Sequence, residues 1–205
     1  MSKPDLVRRL EAIVSKACAL SLGEPASDTI DEKAMLEELG RRCEEAGLLA
    51  ADIVRDLERM EDRLKTAISQ LPRSVGEAAM DYRVKHLKWR PDPVPMPREI
   101  AAFVVLEEVE GARRNCLYRV AKSRYEELRK HRDTCDCSAR LEAGFFTGRP
   151  EGPLRLLHSI GVPFAAMDHF WVCEACGQKW TEEESHDDMG THVSWRAAAQ
   201  DATLA

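Results

Sequence analysis

The chain of 205 residues has no long hydrophobic run, and its most apolar stretch, "IAAFVVL" at 100–106, is only seven residues. That is well short of the roughly 18 that suggest a membrane span. The opening residues, "MSKPDLVRRLEAIVSKA", scatter charge through what would be the apolar core of a signal peptide. The expectation is a cytoplasmic protein with no membrane partner. Positive charge is also in short supply: 30 Lys and Arg stand against 36 Asp and Glu, a net charge of −6. This argues against a surface devoted to non-specific nucleic-acid binding. Seven cysteines cannot all pair within one chain, so a complete disulfide framework is excluded. H-E-x-x-H, G-x-x-x-x-G-K-[ST] and G-x-S-x-G are absent, and none of the six histidines is followed two residues later by glutamate, as a zinc deaminase requires.

What is present is helical periodicity. Leu6, Leu10, Ile13, Val14, Ala17 and Cys18 share one helical face and predict a helix over 5–21. Thr29 and Glu32 have capping-box spacing ahead of a longer segment. From Leu36 to Leu71, positions 36, 39, 43, 46, 50, 53, 57, 60, 64, 67 and 71 alternate spacings of three and four, a heptad seam that predicts one long helix. Gly40 and Gly47 mark where that helix would kink or break. Ser74 and Glu77 open another helix. The prolines at 91, 93, 95 and 97 impose an extended break over 90–97, after which helical phasing resumes over 98–131. The fold expected is mainly α, a helical bundle with long antiparallel helices over 1–132. The 36–71 seam would form its core or, alternatively, the interface of a coiled-coil homodimer.

Beyond residue 132 the character changes. "GFFTGRPEGP" holds three glycines and two prolines, and only "LRLLHSI" at 154–160 looks briefly helical. "TEEESHDD" at 181–188 reads as an acidic helix start capped by Thr181. Cys18, Cys43 and Cys116 fall singly on apolar helix phases and read as core residues. The other four come as close pairs, Cys135 with Cys137 and Cys173 with Cys176, the pattern of metal ligands in a reducing compartment.

In "FWVCEACGQKW" at 170–180 a turn brings Cys173 and Cys176 to one side, and Gly177 relieves the backbone beyond them. With an aromatic strand leading in and "QKW" leading out, this stretch resembles the zinc-ribbon group. The resemblance implies a small zinc-ribbon-like α+β module over 133–205. The ligand set expected is Cys135, Cys137, Cys173 and Cys176 around a structural Zn2+. Two features depart from a ribbon: the first pair is CxC, and the 35 residues between the pairs exceed the usual 15–20, an excess that a helix near 153–160 would absorb. A set in which His131, His169, His186 or His192 replaces a cysteine is the alternative. Arg132, Arg140 and Lys179 are candidates to offset the charge of four thiolates.

A closed four-thiolate site leaves no position for water or substrate, so the expected role is binding and not catalysis. The function expected is a non-catalytic, zinc-stabilised protein-interaction module, such as an adaptor, a regulator or an immunity-type inhibitor, with Trp171, Trp180 and Trp195 as anchors or as the module's own core. The alternative is a nucleic-acid-binding regulator. Residues 113–130, "RRNCLYRVAKSRYEELRK", are rich in Arg and Lys with Glu126 and Glu127 the sole acids, and Tyr118 and Tyr125 lie seven apart.

Overall fold

The computed structural model describes residues 2–23, 32–82, 96–130, 134–162, 165–187 and 190–198. Most of the proline-rich stretch, the Thr29 cap, His131 and Arg132 lie outside the described residues. The chain divides into two compact units, Met1–Val120 and Ala121–Ala205.

The first unit is helical: α1 spans Lys3–Ser21, α2 Glu32–Leu48, α3 Ala50–Ile68, α4 Arg73–Tyr82 and α5 Ala101–Arg129, the last preceded by a 3-10 turn at Arg98–Ile100 and ending in the second unit. α1 packs against α2, α3 and the 3-10 turn. Its predicted apolar face is the one buried: Leu6, Leu10, Val14 and Ala17 have no exposed surface. Pro4 sits in its first turn, where a missing N–H costs nothing. α4 begins at Arg73 directly after Pro72, one residue before the expected Ser74 cap.

The expected bundle of long antiparallel helices is not what forms. The 36–71 seam is divided at Leu49, whose φ of −114° and ψ of 30° leave the helical region. Contacts with α5 show the consequence. Along α2, Cys43 meets the Glu108 carbonyl (3.7 Å), Ala46 accepts from the Cys116 thiol (3.5 Å) and Gly47 lies against the Arg119 guanidinium, so α2 climbs α5. Along α3, Glu61 meets Arg113 at 2.6 Å and Lys65 meets Glu110 at 3.2 Å, so α3 descends it. One straight helix cannot do both. The break falls two residues after Gly47, which weakens the helix and lacks the Cβ that would crowd Arg119. Because no residue is added or lost, the three-four spacing survives the turn, and Leu39, Ala46, Ile53, Leu57 and Leu64 all remain fully buried. The seam is therefore core within this unit. Cys116 is buried, and Cys18 and Cys43 are partly buried against the same core.

Glu61 is a buried charge beside this core. Burial alone would raise its pKa, but hydrogen bonds from Lys65 (2.5 Å) and Arg113 (2.6 Å) outweigh that and hold the carboxyl below its usual range.

The second unit differs more from expectation. Here α6 spans Cys137–Ala143, followed by β1 Leu154–Val162, β2 Ala166–Cys173, β3 Lys179–Asp187 and β4 Gly190–Ala197. The strands form one antiparallel meander in the order β1-β2-β3-β4. Two segments expected to be helical are strands. "LRLLHSI" opens β1, a short segment without strict alternation whose pattern does not separate helix from strand. "TEEESHDD" belongs mostly to β3, and its charges are satisfied across strands. Glu182 accepts from the Trp171 indole at 2.9 Å, Glu183 meets Arg196 at 2.8 Å, and Glu184 meets His169 at 3.4 Å.

Candidate metal centre

The meander places the CxxC turn at the β2–β3 connection. Cys173 is the last residue of β2; its N–H donates to the Gln178 carbonyl (2.9 Å), while its own carbonyl accepts from Gly177 N–H (2.7 Å). This closes a tight knuckle in which Gly177 takes a φ of 77°, a conformation natural to glycine. The other pair comes from the start of α6, with Cys135 just before it and Cys137 as its first residue.

Asp136, between the two cysteines, fixes this second loop. Its carboxylate accepts from the Tyr125 hydroxyl (2.7 Å), from Arg140 Nε (2.6 Å) and from the Glu151 N–H (2.8 Å). Burial, then the hydrogen bond to Asp136, pushes the Tyr125 phenol up to about 12. Arg140 is buried as well and spends its remaining donors on the carbonyls of Thr147, Gly148 and Arg149, while its guanidinium lies 5.2 Å from the Tyr125 ring. Arg140 thus neutralises Asp136 and ties the 145–150 loop. It is engaged away from the sulfurs whose charge it was expected to offset. Gly152 completes the approach: its φ is 132°, and a Cβ there would stand 2.9 Å from the Cys135 Cβ.

Together these loops bring the sulfurs of Cys135, Cys137, Cys173 and Cys176 within 4.8 Å of one another. A tetrahedron with Zn–S bonds of about 2.3 Å has S···S edges of about 3.8 Å, so the cluster stands within about 1 Å of that arrangement. N–H groups face three of the four sulfurs. The Trp180 indole N–H points at the Cys137 sulfur from 3.3 Å. Backbone amides of Cys176 and Ala175 donate to the Cys173 sulfur and lower its thiol pKa even though burial opposes them. Burial pushes Cys137 up, and it outweighs the Gln178 amide at Cys176 to raise that thiol too. These N–H donors, and not the Arg140 guanidinium, face the sulfurs.

Neither His169 nor His186 joins the cluster. His169 bonds the Ser159 hydroxyl (2.7 Å) and faces Glu184, and His186 bonds Thr191 (2.9 Å) and the same Glu184. His192 is exposed on β4, and His131 lies outside the described residues. Among the described residues, the four cysteines are the group able to hold a metal ion. Trp180 and Trp195 are buried against Cys137 and Cys173, with Trp171 partly buried beside them, so these tryptophans form the core around the sulfurs. That role was one of two open in the sequence. The Asp136–Arg140 tie was missed, although D and R four residues apart on a short helix were there to be read.

Among the described residues no helix is long and apolar enough to cross a membrane. Comparisons with protein-family models, with curated proteins and with solved structures found no match to this chain.

Proposed function

We propose that the chain is a non-catalytic protein-interaction protein, an adaptor, regulator or inhibitor, whose second unit is held together by a structural Zn2+ on Cys135, Cys137, Cys173 and Cys176. The observation that carries the metal reading is the convergence of four sulfurs, from two loops 35 residues apart in sequence, within 4.8 Å of one another. Four thiolates suit zinc, complete its tetrahedron and leave no position for a substrate. Such a site suits a reducing compartment such as the cytoplasm.

The edge of the sheet supports a protein partner. Among the described strands β1 pairs with β2 alone and forms one edge of the sheet, where a further strand could add to its backbone. Ile160 is 60% exposed and Val162 65% exposed, and Arg155, paired with Glu174, is the strand's one lysine or arginine. The strand has no lysine or proline, two common guards of an edge, and its register shift between Leu156 and His158 precedes the regularly paired stretch that carries Ile160 and Val162. The occupant that suits it is an extended segment of a partner protein, added as a fifth strand with apolar residues at alternate positions. The chain's net charge of −6 favours basic flanks on that segment.

The nucleic-acid reading has less support. Arg113 is paired with Glu61, Lys122 with Glu126, Arg124 with Glu142 and Arg129 with Glu151. Tyr125 is buried and stacked on Phe145 at 4.8 Å, which leaves it unavailable to a base. The test is affinity capture of the tagged chain and of its Ile160→Lys variant from the native cytoplasm, each with and without nuclease. A stoichiometric protein that survives nuclease and is lost with the variant is the expected result. Recovery of nucleic acid, or of proteins that nuclease removes, would overturn it.

A further inference from the structure

We infer that the outer sulfurs of the cluster, Cys135 and Cys176, form a modification site for peroxides, at which a disulfide between them replaces two bonds to the metal. This rests on the metal reading above and goes beyond it. The four cysteines look equivalent in sequence but differ in access. Cys173 is 0% exposed and Cys137 1%, whereas Cys176 is exposed and Cys135 half-buried. The Cys176 thiol is within hydrogen-bond reach of Cys135, so the two accessible sulfurs, one from each loop, already touch.

A cavity of about 110 Å³ opens beside Cys176, lined by Gly177, Gln178 and Lys179. A water molecule occupies about 30 Å³ of liquid, so a small peroxide has room there. The inner pair is buried, and the outer pair is reachable.

In the first step the Cys176 thiolate attacks the O–O bond of hydrogen peroxide, giving a sulfenic acid and hydroxide. In the second the Cys135 thiolate displaces hydroxide from that sulfenic sulfur and the S–S bond forms. Two thiolates are oxidised by two electrons, one peroxide is reduced to two hydroxides, and no further reactant is required. The metal, left with two ligands, dissociates, while the disulfide keeps the 134–137 loop tied to the knuckle.

The experiment uses the full chain carrying zinc, treated with hydrogen peroxide, with zinc release, free thiols and disulfide-linked peptides measured together. One zinc should leave for every two thiols lost, the linked peptides should join Cys135 to Cys176, and a dithiol reductant with added zinc should restore the starting state. Cys176→His keeps four ligands, and its zinc should be released at least about tenfold more slowly. A disulfide containing Cys137 or Cys173, loss of all four thiols at once, or equal release rates for a zinc-bearing Cys176→His and the parent would overturn this inference alone. Absence of zinc from the purified chain before any oxidant would instead overturn the metal reading, and this inference with it.

Discussion

The Trp180 indole N–H donates to the Cys137 sulfur across 3.3 Å, joining β3 to the first residue of α6, and both side chains are buried. A donor in that position stabilises a thiolate and orients it, the part that outer hydrogen bonds play around metal ligands. Trp180→Phe keeps most of the ring and removes the donor. Zinc affinity should fall by about 10-fold or more, read by competition with a chromophoric chelator, with the fold retained at saturating metal. Unchanged affinity would mean that the indole serves only as packing.

Gly152 holds a backbone conformation at φ 132° that side chains rarely adopt, with the Cys135 Cβ 2.9 Å from where its own Cβ would sit. Gly152→Ala therefore meets strain and a clash that cannot be relieved by rotating a flexible side chain. The second unit should lose about 1–3 kcal/mol, seen as an earlier transition in tryptophan fluorescence during denaturant unfolding. Three of the four tryptophans, Trp171, Trp180 and Trp195, lie in that unit and report on it.

Metal removal should act on one unit and spare the other. The core of Met1–Val120 is built from α1, α2, α3, α4 and the first part of α5 without any of the four clustered cysteines. The core around the sulfurs consists of Cys137, Cys173, Trp180 and Trp195. Cys173→Ser, or a strong chelator, should release the zinc and collapse the β-sheet signal while most of the helical circular dichroism persists, because metal binding and folding are coupled in small metal domains. Full zinc retention by Cys173→Ser would remove Cys173 from the ligand set.

Local spacing made the four clustered cysteines and the core faces legible, while topology was harder to read. The CxC and CxxC pairs stood out because two sulfurs a turn apart have few other uses, and the burial of Leu6, Leu10, Leu39, Ile53 and Leu57 followed from their period. The division at Leu49 was signalled only by Gly47, since the heptad spacing runs through the break unchanged. The strands were hidden for two reasons. β1 mixes apolar and polar residues without a strict alternation, its register shifting between Leu156 and His158, and β3 is stabilised by Trp171, His169 and Arg196 on neighbouring strands, partners that no local window contains.

The Glu61 network gives the first unit a defined response to acid. Its carboxyl is buried, and the Lys65 and Arg113 hydrogen bonds outweigh burial to lower its pKa in the folded chain. A carboxyl lowered on folding contributes stability that is fully present above its unfolded value of about 4.3 and is lost as pH falls through the lowered folded value. Glu61→Gln removes the charge-assisted bonds while keeping the shape. At neutral pH it should cost about 1–3 kcal/mol, with the lower end favoured because Lys65 is half exposed and can turn to water. The gap between parent and variant, measured by urea unfolding followed by helical circular dichroism, should be constant above about pH 5 and close below about pH 4, as the parent's own carboxylate is protonated. A gap that stayed constant down to pH 2 would show that Glu61 acts through packing and not through its charge.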